Sequence, residues 1–525
     1  MRRYINLVVA VVLGAILGNI AADIGLALLQ VGGHPGPLVV QTLIRIVGTI
    51  GGAAWGLGYW RRQDAPIASD VHGSAKFDTE EKAKATLGNR NGLIVGRATK
   101  GWLMRYDEPA HLLTLAPTRS GKGVGVIIPN LLTADRSVIC IDPKGENARI
   151  TSRARAAFGP VFVLDPFEIS GQPPAAFNPL AHLDASSRDL AEDVALVADA
   201  LVYDPPGQVG EAHWNEEAKA LIAGILLHIV TSRAPQQRSL GTLRDLLTTS
   251  PERFDAQLET MQKSRKAGGL VARAANRHLG KSDREAAGVL SSAQRHTHFL
   301  DSPRMVSVLS RADFNFGELR NGVGSIFLVL PPDRLATHAR WLRLLVTQAL
   351  SDLSRTPRTG DAVGVQVLFL LDEFAALGRL EPIERAYGLM AGYGVQLWAI
   401  LQDIHQLKSL YGERSGTFLA NAGATQVFNV GDIETATWVS RTLGVSTQTT
   451  YSTSESASTT SGKSGSFSSG SSTALSFVRR DLATPDEIMS MSRDQLILLR
   501  PGFRPIAAEK LRYYEDAEFR GLFDS

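Results

Sequence analysis

The stretch His111-Leu112-Leu113-Thr114-Leu115 reads as a short buried strand and runs directly into Ala116-Pro117-Thr118-Arg119-Ser120-Gly121-Lys122-Gly123. An apolar pattern of helical type follows through Val124, Val126 and Ile127. Strand, small-residue loop and helix, in that order, are what a phosphate-binding loop needs. The strand delivers the loop, small residues let successive backbone N–H groups turn inward, and Lys122 neutralises phosphate charge. Against the pattern G-x-x-x-x-G-K-[ST], Ala116 stands at the first glycine and Gly123 at the final hydroxyl residue. Gly123 offers magnesium no side-chain oxygen, so metal binding has to rely on other groups. Alone the match is degenerate, because a glycine-rich turn carrying a solvated lysine would be spelled the same way.

A partner motif removes much of that ambiguity. Val367-Leu368-Phe369-Leu370-Leu371 is an apolar strand ending in Asp372-Glu373. At such a strand end Asp372 can bind magnesium, directly or through water, and Glu373 can polarise the water that attacks a terminal phosphate. A surface turn beginning with charges is the plainer explanation, and the phosphate loop upstream makes it the weaker one. The strand Val395 to Leu401 ends at Gln402, whose amide can contact the terminal phosphate and report its loss. Ser137 to Ile141 ends at Asp142, a carboxylate placed to face the same crevice, whereas Asp165 reads as a turn former. The expected cofactors are ATP and magnesium. Thr118, Arg119, Ser120, Gly121, Lys122 and Gly123 are the expected nucleotide-binding residues, Lys122, Asp372, Glu373 and Gln402 the catalytic ones, and Asp372 the magnesium ligand.

The N-terminus imposes a second constraint. Tyr4 to Ala22 carries no charge and comes near the ~20 residues a helix needs to cross the hydrocarbon core. A glycine-rich apolar stretch from Pro37 to Trp60 is interrupted only by Arg45, whose stem can snorkel to the interface. Arg2 and Arg3 precede the first stretch and Arg61 and Arg62 follow the second, which places both ends in the cytoplasm. A cleaved signal peptide is the alternative, but no small-residue cleavage site stands out. Gly48, Gly51, Gly52, Ala53, Ala54 and Gly56 would permit close helix approach, read here as a self-association surface or as ordinary membrane glycine content.

Between Leu180 and Pro303 strand signals vanish, and stretches such as Ser187 to Val202 and Trp214 to Thr231 show helical spacing, so an all-α insertion is expected. From Lys263 to Arg304 nine cations (Lys263, Arg265, Lys266, Arg273, Arg277, Lys281, Arg284, Arg295, Arg304) face three acids (Asp283, Glu285, Asp301). That excess suits phosphate contacts or, equally, a solvated helical face. Trp214 reads as a core anchor, and His296 and His298 lack zinc spacing, so no structural metal is expected. Residues 446–473 are dominated by Ser, Thr and Gly, a composition expected to give a flexible loop.

With 525 residues, 44% apolar and 20% charged, the chain exceeds one core and should mostly fold. The net charge of +3 permits an anionic partner without demanding one. One cysteine, Cys140, excludes a disulfide framework and fits a reducing cytosol. The expected division is a transmembrane hairpin over 1–62, the first part of a nucleotide-binding domain over 63–180, an all-α domain over 181–303, and the second part over 304–525.

Taken together, the two-span N-terminus, His72-Gly73-Ser74-Ala75-Lys76, Ala116 to Asn130, Asp142-Pro143-Lys144-Gly145-Glu146, Trp214 to Ala218, Leu371-Asp372-Glu373-Phe374 and the span from Gly392 through Gln402 to Gly412 resemble the coupling proteins of type IV secretion systems. These are the TraG-like conjugal transfer ATPases within the RecA-like DNA translocases. The family often has glycine at the position of Gly123, so that departure does not count against the resemblance. It implies a RecA-like α/β sheet, a homo-hexamer at the inner membrane with its motor in the cytoplasm, and ATP hydrolysis coupled to passage of DNA or a relaxase–DNA complex into the components of a secretion channel. It does not place an arginine finger on Arg379 or Arg385. Rival readings are a chromosome-partitioning translocase, an exporter of effector proteins, and a membrane scaffold that binds nucleotide without turnover. The absence of a long linker and a winged helix disfavours the first, and Glu373 disfavours the last.

Overall fold

A computed structural model describes the chain except for residues 1, 32–36, 64–69, 204–211, 356–365, 461–465 and 525. Its strands are β1 (Leu93–Arg97), β2 (Leu103–Tyr106), β3 (His111–Leu115), β4 (Ser137–Asp142), β5 (Val161–Leu164), β6 (Ser325–Val329), β7 (Val367–Leu371), β8 (Val395–Leu401), β9 (Ala422–Phe428), β10 (Val445–Thr460), β11 (Ser466–Asp481), β12 (Gln495–Leu499) and β13 (Ile506–Glu509). Two units separate by their packing, Met1–Ser74 with Val445–Arg480, and Ala75–Gly444 with Asp481–Ser525.

The larger unit is built on an eleven-stranded sheet of order β2-β1-β13-β12-β9-β3-β8-β7-β4-β6-β5. From β9 to β5 neighbouring strands run parallel, and β12, β13, β1 and β2 extend that block as antiparallel pairs. Parallel strands are covered on both faces, which is why β3, β4, β6, β7 and β8 are buried along their whole length. Side chains alternate between the two cores: Ile139 and Ile141 enter one, Val138 and Cys140 the other. Between β5 and β6 the regular elements among the described residues are helical, including Leu190–Leu201, Ala212–Ser232 and Asp283–Thr297, and their apolar faces join the first of these cores.

Register brings the strand ends to one edge. Leu115 pairs with Leu401, Leu371 with Ala399 and with Ile141. Ala116, Gln402, Asp372 and Asp142 therefore leave the sheet side by side, the position at which open α/β sheets bind ligands. Strand β3 is locked there by buried polar bonds: the Trp398 indole N–H donates to Thr114 Oγ1 (2.8 Å), whose hydroxyl donates to Gln426 Oε1 (2.7 Å). Thr114→Val would leave both neighbours unpaired, and chemical denaturation is expected to show a loss of about 1–3 kcal/mol.

In the smaller unit the helices α1 (Arg2–Val31) and α2 (Leu38–Gln63) contain apolar spans, Val8–Leu28 and Leu38–Leu57, long enough to cross a membrane. The first extends past the expected Ala22 and takes in Asp23, which pairs with Arg45 at 2.8 Å. Arg45 thus has a partner in the neighbouring helix where snorkelling was expected. The glycines act within the hairpin as well. A Cβ on Gly18 would lie 2.0 Å from the Gly48 carbonyl oxygen, and one on Gly52 would lie 2.0 Å from that of Gly14. Gly48, Gly52 and Gly56 therefore face α1, and only Gly51 of the stripe's glycines looks into open space.

The serine-rich segment also departs from expectation. Strands β10 and β11 pair as a two-stranded ribbon across much of the expected loop 446–473, of which residues 461–465 lie outside the described residues. Low burial argued for disorder, but a ladder satisfies backbone groups without a core, and threonine favours extended backbone. The root of the ribbon is tied down: Thr447 Oγ1 accepts from the N–H groups of His72 (2.9 Å) and Gly73 (3.2 Å), and Ser74 bridges Ser446.

Candidate nucleotide-binding site

The loop after β3 begins with the Ala116 N–H donating to the Leu401 carbonyl (2.8 Å), which fixes it beside β8. The Ser120 N–H donates to the Pro117 carbonyl (3.1 Å), closing a turn, and the helical segment then starts as a wide π-type turn over Gly123–Ile127 before Ile128–Thr133. Gly121 has φ +93°, where a side chain would be strained, and Arg119 at φ 63° occupies the left-handed region with a side chain. Glu373, at φ 54°, does the same on the opposite wall. Each such residue costs about 1–2 kcal/mol, and strain of this kind gathers where a site must hold a set geometry.

Lys122 joins the two walls. Its ammonium lies 2.8 Å from Asp372 Oδ1 and 2.7 Å from Glu373 Oε1. Burial alone would lower the Lys122 pKa, but the two carboxylates more than offset it and hold it above the usual lysine value. Burial raises Asp372 above the ordinary aspartate range, against the pull of Lys122. Thus the loop lysine and both acids meet at one point. Gln402 stands at the end of β8, its backbone N–H donating to Gln406 Oε1 (3.0 Å), and its side-chain amide bonds to none of the described residues.

Asp142 does not present its carboxylate to this point. Its oxygens accept from the N–H groups of Ala148 (2.8 Å) and Lys144 (3.3 Å), capping the helix Glu146–Ala156, and burial pushes its pKa up to about 6. Asp165 likewise ties a turn through Ser170.

Beyond the phosphate loop opens a cleft of about 770 Å³ lined by Pro117 to Ser120, Asn429 and Met489 to Arg493. Sequence reading missed this wall and the residue behind it. Lys510, just past β13, donates to the Ser120 carbonyl (3.0 Å) and to Asn429 Oδ1, and lies 4.5 Å from the Phe428 ring centre. The lysine and the loop stand 390 positions apart, and no local pattern marks it.

A family model described as "Type IV secretory system Conjugative DNA transfer" matches residues 69–522. The chain belongs to this family. Among related proteins, Protein VirD4 of Agrobacterium fabrum is 30% identical over 442 residues, covering 82% of this chain but 63% of the relative. Conjugal transfer protein TraG of Escherichia coli is 29% identical over 449 residues, covering 79% of this chain and 69% of its own. The chain thus spans somewhat less than two thirds of the VirD4 length. In fold, this member of the family is similar to the plasmid coupling protein TrwB, solved in complex with ADP and Mg2+, with TM-score 0.62, 19% identity and coverage of 85% and 96% of the two chains. The likeness supports the mainly parallel sheet with its helical insertion. The chain also carries two N-terminal helices long and apolar enough to cross a membrane.

Proposed function

We propose that the protein is an inner-membrane-anchored ATPase, acting as a ring of six copies, that couples hydrolysis to delivery of DNA or a relaxase–DNA complex into a type IV secretion channel. The observation that carries this reading is the meeting of Lys122 with both Asp372 and Glu373. A non-hydrolysing scaffold needs the lysine but has no use for a second carboxylate at that point. On nucleotide binding, Lys122 exchanges its carboxylate partners for phosphate oxygens, and Thr118 to Gly123 surround the phosphates with backbone N–H groups. Asp372 and Glu373 offer hard oxygen donors beside the loop, a set that suits magnesium, and with no hydroxyl at Gly123 the protein's ligand is Asp372. The bound ion supplies neutralisation of phosphate charge. Released from Lys122, Glu373 accepts the proton of the attacking water, and Gln402 contacts the terminal phosphate.

Support for a nucleic-acid cargo comes from the family and from the basic stretch of the insertion. Arg277 and Lys281 pair with Glu217, and Arg304 with Glu168. Lys263, Arg265, Lys266, Arg273 and Arg284 remain exposed and without an ion pair among the described residues. Surface cations of this kind give sequence-independent, salt-sensitive contacts to a phosphate backbone.

Turnover of ATP by the full chain in lipid nanodiscs, with and without single- and double-stranded DNA, tests this function. Activity raised by DNA and lost in Lys122→Ala is the expected result, while nucleotide binding without turnover at ring-forming concentrations would overturn it. Lys510 offers a finer test of the site. Burial lowers its pKa to about 8, so its charge and its hold on the loop decline as pH rises through that value. Nucleotide affinity should weaken over the same window, and Lys510→Met should reduce affinity about tenfold at pH 7 and remove the window, read by fluorescent-nucleotide titration.

A further inference from the structure

A second cavity of about 380 Å³ is lined by none of the phosphate-loop residues. Its wall brings together the inserted helices, the helix Pro332–Arg355 and the segment that follows Glu373. Arg343, 7% exposed, projects from that helix. Its Nη1 donates to the carbonyls of Leu377 (3.0 Å) and Arg379 (2.7 Å), and its guanidinium lies 3.6 Å from the centre of the Tyr203 ring. Its Nε has no partner among the described residues. One turn along, Thr347 is 5% exposed and its hydroxyl, like Nε of Arg379, is also unpaired among the described residues.

Buried polar atoms nearly always find partners, so three around one cavity call for an explanation. Two are N–H donors and the third is a hydroxyl, and the group that satisfies all of them carries several acceptor oxygens. Charge points the same way. Lys219, Arg343, Arg379 and Arg385 line the cavity against Asp199 and Glu381, and Lys219 already engages Asp199 at 3.3 Å. Glu384 stands 3.6 Å from Arg379, too far for a normal hydrogen bond. Burial pushes the Arg343 guanidinium down to about 10, the mark of a cation with too little compensating charge around it.

We propose that this cavity binds a small anion of the phosphate class, with Arg343 as its anchor, Thr347 and Arg379 as further donors, and Arg385 at the mouth. A guanidinium fork suits paired phosphate oxygens, and donors from separate elements suit a tetrahedral or condensed phosphate better than a flat carboxylate. The cavity has room for more than one phosphate group. The anchor is tied to the motor, because the carbonyls that Arg343 holds belong to the segment beginning at Phe374, next to Glu373. An anion drawing on Arg343 would thereby alter how that segment, and Glu373 with it, is set.

The test uses the full chain in detergent with Lys122→Ala, to disable the phosphate loop, titrated calorimetrically with pyrophosphate and, separately, with ADP. One site is expected to remain and to weaken about tenfold or more when Thr347→Val or Arg385→Gln is added, the loss of one bond to a charged group. Arg343→Met should abolish it, and the exposed Arg385 provides a variant that does not disturb packing. Binding of pyrophosphate alone identifies a free condensed phosphate; binding of ADP as well identifies the phosphates of a nucleotide. Either supports the site. No remaining binding, or binding indifferent to Thr347 and Arg385, would overturn it.

Discussion

Glu373→Gln is expected to lower ATP turnover by roughly 10²–10⁴-fold, the range associated with loss of a positioned general base. Nucleotide should still bind, because Lys122 and the loop backbone are unchanged and glutamine keeps the shape of the side chain. Binding should even improve slightly. Glu373 is one of the two carboxylates that phosphate must displace from Lys122, and its neutralisation weakens the competitor. The check is single-turnover hydrolysis beside equilibrium binding of a fluorescent ATP analogue. Equal loss in both would mean that Glu373 holds the loop together and has no special part in the chemical step. The left-handed backbone of Glu373 makes the amide variant the right one, since the peptide is not asked to change conformation.

Gly18→Leu should separate the membrane helices. A Cβ at this position would lie 2.0 Å from the Gly48 carbonyl oxygen, and the obstacle is backbone, which cannot rotate away as a side chain would. The helices must move apart by about 2 Å or more, toward the 8–10 Å spacing of helices that pack through ordinary side chains. Spin labels on Leu13 and Ile50, both exposed on the hairpin, would report the change as a longer and broader distance distribution. Gly51→Leu is the control, because a side chain there meets open space and should leave the distribution unaltered. An unchanged distance in Gly18→Leu would show that the hairpin is not packed through these glycines in the membrane.

Much of this protein was written in short runs of residues. A strand, a loop with lysine, and a later apolar strand closed by two acids need no tertiary information to be paired, because phosphate chemistry requires both and because parallel strands bury continuous apolar runs. Helical spacing marked the insertion, and apolar length marked the hairpin. Errors fell where a residue type has two uses. Glycine permits close approach without saying which helix approaches, so the stripe on α2 read equally as a self-association surface or as ordinary membrane glycine, whereas Gly48, Gly52 and Gly56 pack against α1. A Ser/Thr-rich segment lacks the means to bury surface, yet its backbone can still pair with itself. Asp142 ends a strand at the proper edge, but its position could not reveal that one amide of the following turn and one of the next helix take its oxygens.

By itself, then, the sequence determined the α/β class, the two long apolar N-terminal helices and the pairing of a lysine loop with the strand that ends in Asp372 and Glu373, since each is signalled by neighbours in the chain. Only the tertiary structure decided that Lys510 grips the loop across 390 positions, that Asp23 answers Arg45, and that Arg343, Thr347 and Arg379 surround one cavity. Those relations depend on strand order and helix docking, which join residues that no local periodicity or spacing connects.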